Sequence, residues 1–598
     1  MTIRICCEEF ESFIGDVRPI WLVSDESLKF ERIKWSVTGD SVVMKKCDGC
    51  DHGSFTYGVF ITFVKPGVSV VTASYDGKNY TCKVISRERK TYSGNEKLYY
   101  YKGDFHTHTT PEHSHDRYLI RTDYLPKRYL ESIKEKNQLD VAVMTDHSVT
   151  INLESFFRNF TEYEDMKEEM EPIVYAGCEN EIMYSEKDRF GRLHRISGEL
   201  VAINSTSFSQ ANTYPEFFFV FENNPYAIGI FAHPHVVGIS TKGVWNYRPR
   251  LNNPKELTEL IKYVEVLNSP HNDANLLNEY VYSEALDGGY RVSTTLGSDM
   301  HKDWDFSAFP GATIIMATEK TREAITDALL NLRAYASESG NIKLTYRVNG
   351  KEAPCDLALT NKYHFEVKID YFTQDNSTRP VRCEIISDGG KTLKTIENAN
   401  FESFEFDIES DSARWFYLKF TDSKNHRTFS PPVFTSRKPV PYVLEDLKPI
   451  DKTLFSATDE KGRDAKALID NDTETEWTAD GTSFQITVDM KKEYTVRAVG
   501  NYAASIDINQ LRQDGIHPNF AEAQIPVDYE IHASLDGKNF TRIADGIFRS
   551  FAGEEIVTFE PCRTRFIRFE ILSTTGSRLG IAEYKNVPAR MAEISIFE

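Results

Sequence analysis

The chain has 598 residues, 40% of them hydrophobic, and carries 90 Asp+Glu against 70 Lys+Arg for a formal net charge of −20. Domains usually run about 100–200 residues, so a chain of this length is expected to hold three to five of them. The acidity excludes sequence-independent binding to duplex nucleic acid or an anionic membrane surface, yet a local cluster of cations still suits a small phosphorylated ligand.

No run of about 18–20 apolar residues exists, so no membrane-spanning helix is expected. The first residues, MTIRICCEEFESFIG, place acidic side chains where a signal peptide needs its apolar stretch. The nine Cys are scattered; Cys47 and Cys50 form a CxxC without a second pair. Cys82 would complete at most a partial structural metal site, and ordinary reduced thiols are the simpler reading. These features favour a reducing cytoplasm. A secreted chain whose signal had been removed would read the same.

Residues 1–95 read as β. Short runs such as GVFITFV and VSVVTASY are bounded by Gly, Asp and Pro-Gly, and Asp76-Gly77 marks a hairpin turn. An immunoglobulin-like sandwich is expected, and the stretch resembles bacterial immunoglobulin-like repeats. Over 96–340 short apolar strands (LDVAVMTDH, IVYAGCE, AIGIFAH, YVEVLN, STTLGSD) alternate with helical stretches at Pro126–Asn137, Pro254–Lys262 and Thr321–Arg333. That alternation predicts parallel strands with crossover helices in an α/β sheet or barrel, which builds its site at the C-terminal strand ends. Residues 341–440 return to β alternation (IKLTYRVNG, YHFEVKIDYF), predicting a middle β-sandwich before a Pro-rich linker. Residues 441–598 are β again.

The chemistry sits at the strand ends of 96–340. His106 and His108 share a strand face because side chains alternate with a period of two. His113, His115 and Asp116 follow. Asp146-His147 closes VAVMTDH, Glu179 closes IVYAGCE, His233-Pro234-His235 closes GIFAH, Glu265 and Asn268 lie in VEVLN, and Asp299-Met300-His301 closes TTLGSDMH. One HxH pair at a strand end is usually only a polar edge. Here, of 15 His, nine lie at these positions or at His194 nearby, beside carboxylates. Without a metal, so many converging imidazoles and carboxylates would be costly to desolvate together.

HTHT, TDH, GxE, AHP and GSDxH, in this order, resemble the polymerase-and-histidinol-phosphatase (PHP) superfamily over about 240 residues. The resemblance implies a distorted seven-stranded β/α barrel with two or three divalent transition metals, Mn, Fe or Zn. It implies His106, His108, Glu179 and Asp299 at one metal. Glu179 and His233 would serve a second, and Asp116 or His115 with His147 and His301 a third. Relatives carry a His in the strand after the bridging Glu, where this chain has Gly198-Glu199-Leu200; Glu199 or His194 is the expected substitute. The resemblance also implies attack on a phosphate mono- or diester by a metal-shared hydroxide, with His235, His301 or Asp146 protonating the leaving oxygen. A hydrolase of carboxylic esters, carbamates or amides, or a non-catalytic glycan-binding protein, are the alternatives.

Ala467–Trp477 (ALIDNDTETEW), SLDGKNF and the ending MAEISIFE resemble discoidin-like, coagulation-factor C-type domains, which are carbohydrate-binding jelly rolls. The resemblance implies a structural calcium held by Asp470, Asp472, Thr475 and Glu593, although an acidic turn before a core Trp would read alike.

Overall fold

A computed structural model of the protein describes residues 2–26, 28–46, 58–94, 96–109, 126–136, 138–148, 162–163, 165–187, 190–191, 193–204, 224–234, 259–268, 274–301, 304–308, 310–397, 401–437, 447–504, 523–548 and 553–598. Strands dominate, and among the described residues no helix is long and apolar enough to cross a membrane.

Strands β1 (Ile3–Ile5), β2 (Glu9–Phe13), β3 (Val17–Ser24), β4 (Lys34–Thr38), β5 (Val42–Lys46), β6 (Gly58–Phe63), β7 (Gly67–Tyr75) and β8 (Lys78–Arg87) form two four-stranded sheets, ordered β1-β3-β6-β5 and β2-β8-β7-β4. Alternation along β7 buries Val71, Ala73 and Tyr75, which share one core with Ile20, Ile61 and Val84. The β7–β8 hairpin turns at Asp76 (φ 46°) and Gly77 (φ 79°), the left-handed pair that matches strand twist. Cys82 lies in this core, its Sγ 3.7 Å from Cys7 Sγ. Cys47 and Cys50 lie outside the described residues.

The central strands are β9 (Tyr99–Thr107), β10 (Val141–Met144), β11 (Ile173–Lys187), β12 (Leu193–Ile203), β13 (Ile228–Phe231), β14 (Ile261–Asn268) and β15 (Ser293–Gly297), adjacent in chain order. A parallel bridge between Thr107 and Met300, with His108 N donating to Met300 O at 3.0 Å, brings the chain after β15 back to β9, so the sheet curls onto itself. Every residue of β10, β13 and β15 is buried, which is why these strands read as unbroken apolar runs. Helix α1 (Pro126–Lys136) follows β9, α2 (Ala274–Asp287) follows β14, and α3 (Arg322–Leu330) starts at Thr321, whose side chain accepts from Ala324 N.

Two expectations are corrected here. The strands are not uniformly parallel: β12 runs antiparallel to both β11 and β13. The chain between Lys187 and Leu193 is far shorter than the dozen or so residues a parallel crossover needs, so it forms a hairpin. The helix expected over 254–262 does not reach its end, because Ile261 already pairs with Gly229 and opens β14.

Strand β16 (Ala312–Ala317) pairs antiparallel with the other edge of β9, and β17 (Ala334–Ser337) follows. Ser337 then pairs with Thr428 in Arg427–Phe429, so one sheet runs unbroken from the central strands into Trp415–Asp422 and Pro380–Ser387. A four-stranded sheet built on Ile342–Val348, Lys362–Tyr371 and Ser403–Glu409 packs on it through Phe365, Phe406, Phe416 and Leu418.

The C-terminal unit is a jelly roll around a seven-stranded sheet. Its long strands Phe484–Ala503 and Gly553–Ile571 pair with register shifts between Asp489 and Tyr494 and between Val496 and Ala498, irregularities that let a long strand bend. Helix α2 ties the units together: Tyr280 Oη donates to Phe548 O at 2.9 Å, and Asp287 accepts from Arg414 Nη2 at 2.9 Å and Trp415 Nε1 at 3.0 Å.

At the sheet junction Arg427 holds Glu338 in a fork, at 3.2 Å from Nε and 3.1 Å from Nη2, both side chains buried. Arg427→Ala would leave Glu338 buried without its charge partner, a loss of about 3–5 kcal/mol. The midpoint of chemical denaturation, compared with wild type, measures it.

Candidate metal centre

The central strands present their polar residues at their C-terminal ends to one buried space. Alternation along β9 sends Phe105 into the apolar core and His106 and His108 to the opposite side. Glu179 is the hub. Its Oε1 lies 3.2 Å from His106 Nε2 and 3.1 Å from His233 Nε2. Its Oε2 lies 2.8 Å from His147 Nδ1 and 3.5 Å from His108 Nε2. Asp299 Oδ1 sits 3.1 Å from His108 Nε2 and 3.7 Å from both His106 Nε2 and His301 Nδ1. Glu199 reaches His233 Nε2 at 3.4 Å.

These side chains form overlapping triads whose ligand atoms lie within 4.8 Å of one another: His106-His108-Asp299, His106-Glu179-His233, His147-Glu179-Glu199 and His108-His147-His301. The triads share members, and Glu179 belongs to two of them. Imidazole and carboxylate together suit Mn, Fe or Zn.

Burial and neighbouring charges act in opposite directions on the groups of this cluster. Burial disfavours charge on His147 and His233, yet Glu179 and Glu199 outweigh it and raise them to about 9 and about 10. Burial together with the neighbouring His301 and His147 pushes His108 well below the ordinary range. Burial alone would raise Glu179, but His106 and His147 hold it well below the usual carboxylate range. A cation bound by these groups would compete with their protons.

The supporting residues were not assigned roles from the sequence. Glu265, buried, takes the proton side of His106 Nδ1 at 3.2 Å and accepts from His233 N at 2.7 Å. That contact fixes the tautomer and leaves His106 Nε2 facing Glu179. Asp104 Oδ1 accepts from His106 N and Ser298 N, each at 3.1 Å, and burial pushes its carboxyl up to about 7. Their positions at strand ends, facing the His run, were the only signal.

The expected residues divide clearly. His106, His108, His147, Glu179, Glu199, His233, Asp299 and His301 come together. Asp146 is buried beside them, its oxygens accepting from Thr109 N at 2.7 Å and Thr109 Oγ1 at 3.0 Å, so it braces the loop after β9. His301 Nδ1 donates to Asp299 O at 2.8 Å. His115, Asp116 and His235 lie outside the described residues, and so does the side chain of His194. Between the two candidates on β12, Glu199 pairs across from Glu181, whereas His194 pairs across from Glu186. Five residues of strand separate them, about 17 Å.

In the C-terminal unit, Thr475 Oγ1 lies 2.9 Å from both Asp470 Oδ2 and Asp472 O, and 3.4 Å from Ala467 O. Burial and the neighbouring Asp470 raise the carboxyl of Glu593. Oxygen donors beside two adjacent carboxylates fit a hard cation. The sequence reading missed Lys452, whose buried ammonium pairs with Glu593 Oε1 and donates to Ile594 O at 2.8 Å.

Residues 453–584 match the family model for the F5/8 type C domain. The expected discoidin-like character of the C-terminal unit is thereby confirmed. Solved structures similar to this region include the Clostridium perfringens module CpGH89CBM32-5 in complex with GalNAc-β-1,3-galactose, at 18% identity and TM-score 0.20, covering 25% of this chain and 100% of that one. The family 32 CBM of C. perfringens NanJ in complex with galactose matches at 19% identity and TM-score 0.20, over 25% and 99%. CBM32-3 from a C. perfringens family 31 glycoside hydrolase matches at 23% identity and TM-score 0.19, over 25% and 94%. No curated protein matches the chain.

Two residues of the cluster sit on strained backbone, His233 at φ 23° and Asp299 at φ 54°. Glu265 and His106 pack closely on Gly297, where an added Cβ would lie 1.9 Å from Glu265 Oε1 and 2.3 Å from His106 Cβ. Gly297→Ala is therefore expected to displace the Glu265–His106 pair and weaken metal binding about 10–100-fold, as loss of an orienting partner does. Metal retention during dialysis against graded chelator, with circular dichroism to confirm folding, reads this out.

Proposed function

We propose that the protein is a metal-dependent phosphoesterase with a carbohydrate-binding C-terminal module. What carries the reading is Glu179, a buried carboxylate flanked by four imidazoles and set among overlapping ligand triads. The PHP-like motifs that contain these residues supply the reaction class. His106, His108, Glu179 and Asp299 would hold one cation, Glu179, Glu199 and His233 a second, and His147 with His301 a third. Bound cations would supply Lewis acidity toward the phosphate oxygens and an acidified water. Glu265 keeps His106 in the ligating tautomer, and Asp299 O does the same for His301. Burial of most of the cluster strengthens the charge interactions inside it.

A second reading has its own support. The F5/8 type C match of residues 453–584 points to glycan binding, with or without catalysis upstream. In that module Asp470, Asp472, Thr475 and Glu593 would hold a calcium beside the Lys452 ammonium, as a structural tie between the acidic turn and the last strand.

Protein purified with its metals should release phosphate from a phosphomonoester or phosphodiester panel, lose this with chelator, regain it with Mn, Fe or Zn, and lose it in Asp299→Asn. Turnover of nitrophenyl acetate or carbamates without phosphate release would instead assign attack at carbon. Absence of bound metal and of both activities, with retention on a carbohydrate matrix, would leave the glycan-binding reading alone. For the module, calcium should raise the melting temperature of chelator-treated protein, and Asp470→Ala should abolish that rise; an unchanged melting temperature removes the calcium.

A further inference from the structure

The linker after β8, the segment joining α3 to β17 and the middle β region enclose a cavity of 590 Å3 at the N-terminal ends of β14 and β15. This is the opposite end of the sheet from the His cluster; the five residues of β15 alone put about 16 Å between them. Four cations line it, Arg89, Lys262, Arg291 and Arg333, on a chain whose net charge is −20. Two carboxylates answer them. Asp327 accepts from Arg89 Nη2 at 2.8 Å and also pairs with Arg333 Nη2, so one carboxylate serves two guanidiniums. Asp356 meets Arg291 Nη2 at 2.9 Å in a pair that is more than half exposed on both sides and is therefore weak.

The most buried of the four cations is Arg333. It is 5% exposed, yet its Nε and Nη1 meet no acceptor among the described residues, and neither does Nε of Arg89. Buried guanidinium N–H groups without acceptors are costly. The planes are held in place by stacking, with Arg333 over Tyr92 at 4.4 Å and Arg291 over Phe434 at 4.1 Å. Burial and the like charge of Arg291 also press on the Lys262 ammonium. An oxyanion in the cavity would offset the excess of four cations over two carboxylates in its lining and relieve the crowding between Arg291 and Lys262.

We infer that this cavity binds a small phosphate-bearing molecule through Arg89, Lys262, Arg291 and Arg333. Its volume falls in the range that encloses small organic ligands. The site owes nothing to the metal centre and stands whether or not that centre is catalytic.

Calorimetric titration of the full chain with inorganic pyrophosphate, in chelator and low salt, tests it. Asp299→Asn, which alters only the His cluster, should still bind one pyrophosphate per chain. Adding Lys262→Gln and Arg291→Gln, both at partly accessible positions, should raise the dissociation constant at least about tenfold, and added salt should weaken wild-type binding. Loss of all binding in Asp299→Asn would assign pyrophosphate to the metal centre and overturn the inference. Unchanged affinity in the Lys262 and Arg291 variants would overturn it too.

Discussion

A single buried carboxylate constrains the middle of this protein. Glu179 is shut off from solvent, and a lone carboxylate there would be too costly to keep charged. It is tolerated because His106, His108, His147 and His233 converge on it from strands β9, β10 and β13, or from the turns that follow them. The curl of the sheet that joins the chain after β15 to β9 adds Asp299 and His301 to the same space. The demand for neutralisation also explains the less obvious neighbours. Glu265 faces His106 Nδ1 and accepts from His233 N, and Gly297 leaves the room that Glu265 and His106 need.

The same sheet is also the scaffold of the larger molecule. It continues through β17 into the middle β region by way of the buried Glu338–Arg427 fork, and α2 reaches both that region and the C-terminal jelly roll. The candidate metal centre and the cationic cavity thus occupy opposite ends of one sheet. The F5/8 type C unit joins through specific polar contacts, Tyr280 to Phe548 and Arg578 to Gly389 O at 2.7 Å. In that unit Lys452 brings a fixed positive charge to Glu593, where divalent cation binding would place another beside it.

Local patterns carried much of this in advance. The Asp76-Gly77 hairpin, the edges of β10, β13 and β15, and the C-terminal module were all readable, because turn chemistry and apolar runs act over a few residues. Most of the cluster was readable as well, since strand parity places His106 with His108 and strand ends collect polar groups. The roles of Glu265 and Asp104 were not, because a carboxylate that orients a ligand carries no different local pattern from one that binds a metal or faces water.

By itself, then, the amino-acid order determined which side chains lie at strand ends and which faces those strands bury, because both follow from side-chain alternation and apolar spacing. Only the tertiary structure decided that β12 turns back antiparallel, that Glu199 comes within reach of His147 and His233, and that Arg89, Lys262, Arg291 and Arg333 crowd one cavity. Register and long-range closure set these outcomes, and both depend on contacts between residues tens to hundreds of positions apart.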